Sequence, residues 1–433
     1  MRPTVFGLVD CRSFYVSVER VWDQTLRHKP VVVLGNNDSA IVALSDEAKA
    51  IGLRRGTPVF EVRDLIEQHQ VICFSSNYTL YADFSERVRQ SLFAFAAAPA
   101  RLETYSIDEW WIDVGHVAAK ALASYGKEVR SIVLQLTGLP VGVSFAATKT
   151  LSKIAGEIIR HRPEYQGVLS LATVSAEEID TFLAQIAVHD VWGIGPRYAE
   201  QLVASGIYTA KHLKDADLAW IRRHLTVVGA RTVLELRGVA CIPLETREQP
   251  KKHIASAKNF GRPVEDYEEL CQAVAVYTAR VAEKLRAQGS LAGGISVFIT
   301  TSRFSAAEQR YTNSASKTIP IPSAFTPDLI HAALEALHQI FQEGYRYSKA
   351  GVFLSQIRPQ ERLQLDLFGE QSLEQQAKKE RLMRAVDELN HAMGRDTLFF
   401  GAMGLTRPWQ MRQARRSRRF TTRWEEILEV HAD

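Results

Sequence analysis

Tyr105-Ser106-Ile107-Asp108-Glu109-Trp110-Trp111 places two adjacent carboxylates inside an apolar, β-prone run. Neighbours on a strand point to opposite faces, whereas at a tight hairpin tip both acids reach one cation. Burying an acid is costly unless a partner or a metal compensates it. A third carboxylate, Asp10, ends a second apolar run, Val5-Phe6-Gly7-Leu8-Val9. Two strand ends that pool three carboxylates make a hard-oxygen site of the kind magnesium prefers. Two such ions serve in-line phosphoryl transfer. An Asp-Glu pair standing alone is usually a solvated turn, so the rest of the chain has to decide.

The chain has 433 residues, which suggests about three domains. Its 46% hydrophobic and 24% charged residues are ordinary for a soluble globular protein. The formal net charge is only +4, so bulk charge does not itself argue for nucleic acid, and its distribution matters more. Cys11, Cys73, Cys241 and Cys271 are scattered without a Cys-x-x-Cys pair, which predicts neither a zinc site nor a disulfide framework. The five apolar residues before Asp10 are too few for a signal peptide, and no run approaches transmembrane length. A reducing cytoplasm is the expected compartment.

Residues 1–185 alternate strand-like and helix-like stretches. Pro30 to Gly35 reads as a buried strand, and Asp46 to Gly52 as a helix closed by glycine. Tyr81 to Ala96 carries Phe84, Val88, Leu92 and Phe95 near one helical face. Leu102 to Val114 reads as the hairpin bearing the acids, and Ala118 to Leu136 as a further helix. Beyond residue 186, Val191-Trp192-Gly193-Ile194-Gly195-Pro196-Arg197 leads into another helix. Gly193 and Gly195 flank an apolar residue and free backbone N–H groups to face a phosphate. Residues 241–250 read as a linker. Lys251 to Arg262 holds Lys251, Lys252, Lys258 and Arg262 and no acid, which favours the lining of a groove. Gly294 to Thr300 and Ala350 to Leu354 look like strands, with helices at about 264–287 and 326–343.

After residue 358 the chain turns polar. Within it, Gln364-Leu365-Asp366-Leu367-Phe368 packs three large apolar groups into five residues, which calls for a partner surface. The stretch from Arg407 to Arg423 has seven arginines and no acid, with Trp409, Phe420 and Trp424 interleaved or adjacent. That composition suits nucleic acid or an acidic partner, and does not choose between them.

The motifs fall in a specific order. After Asp10 come Cys11-Arg12-Ser13-Phe14-Tyr15, then Asn36-Asn37-Asp38, Asp46-Glu47-Ala48-Lys49-Ala50-Ile51-Gly52 and Ser75-Ser76-Asn77-Tyr78. Val141-Gly142-Val143-Ser144 then leads into Thr148-Lys149-Thr150-Leu151-Ser152-Lys153-Ile154-Ala155. In this order and spacing the chain resembles the Y-family translesion DNA polymerases, and among them the UmuC-like catalytic subunits, from about residue 4 to the C-terminus.

The resemblance implies an α+β multidomain fold, a right-hand polymerase. Its parts would be palm and fingers at 1–185 (fingers inserted at about 28–80), a helix-hairpin-helix thumb at 186–240 and a linker at 241–250. A little finger at 251–357 and a clamp-binding peptide with C-terminal extension at 358–433 would follow. It implies error-prone, template-directed nucleotidyl transfer from dNTPs in a DNA-damage (SOS-type) response. Asp10, Asp108 and Glu109 would be catalytic and would hold two Mg²⁺ ions, with Mn²⁺ as a substitute and the Cys11 carbonyl as an extra ligand. Lys49 and Lys153 would contact the triphosphate. Tyr15, with Phe14 beside it, would exclude a ribose 2′-hydroxyl. Gly193, Gly195, Lys251, Lys252, Lys258 and Arg262 would bind primer-template DNA. Gln364, Leu365, Leu367 and Phe368 would dock on a bacterial sliding clamp. A UmuD-type accessory dimer and a RecA filament are further implied partners.

Several residues depart from the family pattern. Arg12 stands where asparagine is usual, Leu44 where Ala-Arg is usual, and Ser39 where the loop has glycine. Asp46 puts an acid one turn before Lys49, and Trp110-Trp111 replaces a small residue plus an aromatic. These changes motivate a rival reading, a polymerase-derived clamp- and DNA-binding regulatory protein with weak or no synthesis. A nucleotide cyclase could use similar carboxylates, but the glycine turn, basic strand and clamp-like peptide argue against it.

Overall fold

Two adjacent tryptophans fix the central sheet from both sides. The computed structural model describes residues 4–93, 95, 101–246, 249–360 and 373–429. These fall into two units: those within Met1–Val33, Ile41–Glu248 and Arg415–Asp433, and those within Leu34–Ala40 and Gln249–Ala414.

The first unit begins with β1 (Phe6–Cys11), α1 (Phe14–Trp22), β2 (Val31–Leu34), β3 (Ile41–Leu44), α2 (Asp46–Ala50), α3 (Arg63–Gln68), β4 (Ile72–Ser75) and α4 (Tyr78–Phe93). It continues with β5 (Leu102–Thr104), β6 (Glu109–Asp113), α5 (Leu122–Thr137), β7 (Val141–Ala146), α6 (Lys149–His161) and β8 (Val168–Ser170). Four more helices follow: α7 (Ala176–Gln185), α8 (Pro196–Ala204), α9 (Ala210–Asp215) and α10 (Leu218–Leu236), the last interrupted at Thr226. The main sheet has the order β5-β6-β1-β7-β8, antiparallel except for the parallel β7–β8 pair. A second sheet has the order β3-β2-β4.

Side chains alternate across a strand, so Trp110 and Trp111 enter opposite layers. Trp110 joins Val9, Phe84, Leu92 and Val133 in one core. Trp111 lies with Phe6 and Leu8 on the other face, the side that α6 covers with Leu151 and Ile154 in the adjoining core. Both rings are fully buried, and burying one apolar side chain contributes about 1.5–3 kcal/mol. α5 ends at Gly138, whose φ of 73° closes the helix against Val21. A residue with Cβ there would be strained by φ and crowd Val21 at 3.0 Å.

The segment expected to be a linker is held at its start. Glu235, fully buried, accepts hydrogen bonds from the backbone N–H of Thr150 (3.0 Å), Cys241 (2.7 Å) and Ile242 (3.1 Å). Lys149 Nζ donates to the Pro243 carbonyl at 2.9 Å. The C-terminal end also packs in this unit. Phe420 stacks on Trp22 with centroids 4.3 Å apart, and Ser417 Oγ donates to Glu19 at 3.0 Å.

The second unit comprises β9 (Ile254–Val264), α11 (Tyr267–Ala287), β10 (Ser290–Thr301), β11 (Thr312–Ser323), α12 (Thr326–Ile340), β12 (Tyr347–Pro359) and α13 (Leu373–Met393). Its antiparallel sheet runs β11-β10-β12-β9, with α11 and α12 sharing its core. The strand β11 and the helix α13 were not foreseen. Arg286 clamps α13 through both oxygens of Asp387, at 2.6 and 2.7 Å. None of the four cysteines is in a disulfide. Among the described residues no helix is long and apolar enough to cross a membrane.

Candidate active site

The register of β1 and β6 puts the acids at one end of the sheet. Asp10 pairs with Glu109, and the Cys11 N–H donates to the Asp108 carbonyl at 2.9 Å. Residues 105–108 form the turn between β5 and β6, as the hairpin reading expects. Ser106 closes that turn: its hydroxyl donates to Asp108 Oδ1 at 2.6 Å and accepts the Asp108 N–H at 3.3 Å. Behind the tip, Trp192 Nε1 donates to the Tyr105 hydroxyl at 2.9 Å, and both rings touch Trp111.

Each strand acid holds a cation from α6. Arg160 Nη2 lies 2.5 Å from Asp10 Oδ2, and Lys153 pairs with Glu109. Burial pushes the Asp10 carboxyl above its ordinary range. Arg160 opposes that shift, while Glu109 and Asp108 reinforce it. Burial likewise pushes the Cys11 thiol well up, and a protonated thiol is a poor metal ligand. That leaves the Cys11 carbonyl as the ligand this residue can offer.

Among the described residues no three Asp, Glu, His or Cys side chains form a ready metal cage. The donor set nonetheless suits a hard divalent cation. It is all oxygen, and burial, with Glu109 and Asp108 adding to it, raises Asp10 even with Arg160 beside it, so a bound cation would relieve the site. Arg160 and Lys153 neutralise the charge that such ions would neutralise.

A cleft of about 750 Å³ opens beside these acids. Asp10, Cys11, Phe14, Tyr15, Lys49 and Asp108 line it, so the expected metal, sugar and phosphate residues meet at one opening. Lys153 and Glu109 are paired with each other at its edge and are not part of the lining. Phe14 is buried. Tyr15 stacks on Tyr81 at 4.4 Å and meets Tyr78 edge-on at 6.0 Å. Tyr81 in turn donates to Glu19 at 2.7 Å. An aromatic wall, rather than a single ring, flanks the cleft.

Sequence reading gave no role to Arg160 or Lys149, and noted Arg12 without its partner. Arg160 is seven residues after Lys153, hence on the same helical side, and that spacing was the available signal. Lys149 is 2% exposed and forms a buried pair with Glu103 at 2.6 Å. Arg12 pairs with Asp46 at 2.8 Å, so two of the departures from the family pattern meet each other.

The residues expected to face DNA lie in both units. Gly193 has φ 90°, and Gly195 caps α8. Lys251 and Lys252 are exposed ahead of β9. Lys258 is exposed on β9, and Arg262 is half-buried on it. Arg262 pairs there with Glu269 of α11 at 2.6 Å. Burial lowers the Lys258 pKa, aided by Arg280, Arg395 and Lys284. Gln364, Leu365, Leu367 and Phe368 lie outside the described residues.

A sheet ending in acids beside an open cleft, together with a four-stranded unit, defines the Y-family DNA polymerase fold. A solved Y-family polymerase chimera of Dbh and Dpo4 superposes with a TM-score of 0.65 at 20% identity, covering 82% of this chain and 99% of that one. An insertion ternary complex of Dbh DNA polymerase gives 0.54 at 19% identity, with the same coverage. The chain belongs to the impB/mucB/samB family: its model matches residues 9–157, and the C-terminal domain model of that family matches residues 251–367. A domain of unknown function matches residues 380–430. UmuC of Salmonella typhimurium is 41% identical across 98% of this chain and 100% of its own length. MucB of Escherichia coli is 38% identical over 98% and 99%. DNA polymerase IV of Moorella thermoacetica is 28% identical over 92% and 96%.

Proposed function

We propose that the chain is a template-directed, error-prone translesion DNA polymerase that adds dNTPs to a primer 3′-hydroxyl. The observation that carries this reading is the meeting of Asp10 and Asp108 with Tyr15 and Lys49 at one cleft. Asp10, Asp108, Glu109 and the Cys11 carbonyl would hold two magnesium ions, which supply activation of the primer oxygen and charge neutralisation on the leaving pyrophosphate. Lys49 would take the triphosphate tail, where a fixed cation stabilises the charge that builds on the leaving group. Lys153 would join it on leaving Glu109. Tyr15, braced by Tyr81 and Tyr78, would stand under the sugar and exclude a 2′-hydroxyl by contact.

On this reading residues 1–185 are palm and fingers, 186–240 the thumb and 251–357 the little finger. The glycine turn at Gly193 and Gly195, with Lys251 and Lys252, would hold the DNA backbone, whose phosphates reward such cations. Exposed Lys258 would add to that contact, and Arg262 would do so on leaving Glu269. The peptide Gln364 to Phe368 would dock on a sliding clamp in the cytoplasm. A UmuD-type dimer and a RecA filament would be its partners in an SOS-type response. Primer extension on defined templates, with and without a lesion and with magnesium, tests the reading. Products complementary to the template are expected. DNA and clamp binding without extension would establish the regulatory alternative instead.

A further inference from the structure

Beside Lys49 the cleft holds two charged groups with no role assigned so far, Arg12 and Asp46. Arg12 precedes α1, and Asp46 and Lys49 lie on α2. Asp46 spends one oxygen on each cation: Oδ2 is 2.8 Å from Arg12 Nη2, and Oδ1 is 2.9 Å from Lys49 Nζ. All three residues line the cleft, as does Arg55. About half of each side chain in the trio is exposed. Burial works against the Asp46 carboxylate, but Lys49 and Arg12 outweigh it and hold its pKa low.

Two features make this contact exchangeable. Exposed ion pairs contribute little, so a stronger anion displaces the carboxylate easily. Moreover, α2 does not depend on Asp46 to stay in place. Glu47 pairs with Arg20 at 2.8 Å, and Ser45 accepts the N–H groups of Ala48 and Val31, both at 3.1 Å. The helix remains docked on those neighbours when Asp46 lets go.

From this geometry we propose that Arg12 is a further triphosphate-binding cation, and that Asp46 is a stand-in anion which the incoming triphosphate displaces from Arg12 and Lys49. Arg12 offers a planar fork that matches phosphate oxygens, and Lys49 a point charge. Asp46 thus sets nucleotide affinity by competition. It keeps two like charges paired while the cleft is empty and weakens binding by the cost of their release. The proposal rests on the nucleotide-polymerising reading of the cleft.

The test is calorimetric titration of the full chain with magnesium-dATP, without primer-template, beside primer extension by the same preparations. Asp46→Asn is expected to tighten dATP binding roughly threefold to tenfold, the scale of two exposed ion pairs. Arg12→Gln should weaken binding, and Arg12→Lys should recover part of it. Arg12→Gln should cost more in the Asp46→Asn background than in the parent, because no competitor remains to be released. A general field effect of removing an acid would leave that cost equal in both backgrounds. Unchanged or weaker binding by Asp46→Asn overturns the proposal, as does an equal cost of Arg12→Gln in the two backgrounds. A chain in which no variant binds dATP overturns it too. Affinities that shift as expected while no primer is extended would sink the polymerase reading and leave the anion exchange standing. Extension with unmoved affinities would do the reverse.

Discussion

The two sides of the acid hairpin use the same ion chemistry to opposite ends. On its closed side, Lys149 and Glu103 are almost wholly buried, and Lys149 also reaches the Pro243 carbonyl while Glu103 accepts the Glu245 N–H at 2.7 Å. Lys149 further lies 5.5 Å from the Trp111 ring centroid. On the open side, Asp10 and Asp46 hold Arg160, Arg12 and Lys49 in the lining of a cleft, while the Glu109–Lys153 pair, outside that lining, is only 14% and 17% exposed. One helix, α6, supplies both Lys149 behind and Lys153 and Arg160 in front. Where water is excluded, removing one ion strands the other. Where water enters, partners exchange at small cost. Fixed charge belongs to the scaffold, and exchangeable charge to the chemistry.

The sharpest way to break this contrast is Lys149→Met. It should destabilise the fold by about 3–5 kcal/mol, because Glu103 is left charged and buried. Adding Glu103→Leu should recover part of the loss. Denaturant unfolding of the single and double variants measures both. A loss no larger than that of a surface lysine would erase the distinction between the two sides.

Asp108→Ala should act the other way, with stability near the parent's and primer extension cut more than about a hundredfold. That exceeds the effect of removing groups one shell further from a metal. Extension near the parental rate would remove Asp108 from the site. Tyr15→Ala comes next. It should raise incorporation of ribonucleotides relative to deoxyribonucleotides by roughly tenfold, the scale of a steric change in a pocket. The ratio of the two incorporation efficiencies is the readout. An unchanged ratio with healthy DNA synthesis would show that the Tyr78–Tyr81 wall, and not Tyr15, shapes the sugar site.

Much of this was legible in the sequence, for physical reasons that differ by element. The apolar runs before Asp10 and around Asp108 could only be buried strands, and their acids could only lie at strand ends. The helix at Asp46 and its closure near Gly52, where φ is 94°, follow from local rules. The strand β11 was hidden because Thr312 to Ser323 is mostly polar and carries two prolines. The helix α13 was hidden because, among its described residues, Met383 is the only buried one and the rest are half-buried or exposed, with many charges. Site residues failed where pairing is tertiary. Lys149 and Lys153 are one turn apart and equivalent to a reader of spacing. Only Glu103, brought up by β5, makes one of them structural. Arg12 and Asp46 were visible as oddities, but nothing short of the fold places them in contact.

The smallest effect concerns an acid that belongs to neither class. Glu19 on α1 is 2% exposed, and the partners that reach its side chain are hydroxyls, Tyr81 at 2.7 Å and Ser417 at 3.0 Å. Burial raises its pKa from 4.5 to about 7, with the two hydroxyls pulling the other way. Below pH 4.5 the carboxyl is protonated in both folded and unfolded chains, and its contribution is fully present. Between about 4.5 and 7 the unfolded chain gives up a proton that the folded chain keeps. Stability therefore falls as pH rises through this window, by at most about 1.4 kcal/mol per pH unit for one proton. Above it the loss levels off. Glu19→Gln cannot titrate, so its stability relative to the parent should improve from pH 5 to pH 8, with other groups cancelling in the difference. Denaturant unfolding of both chains at the two pH values is the measurement. A constant difference would mean that Glu19 is already ionised at pH 5. Buried and, among the described residues, without a cation at its carboxylate, it would then contradict the rule that separates the two sides of the hairpin.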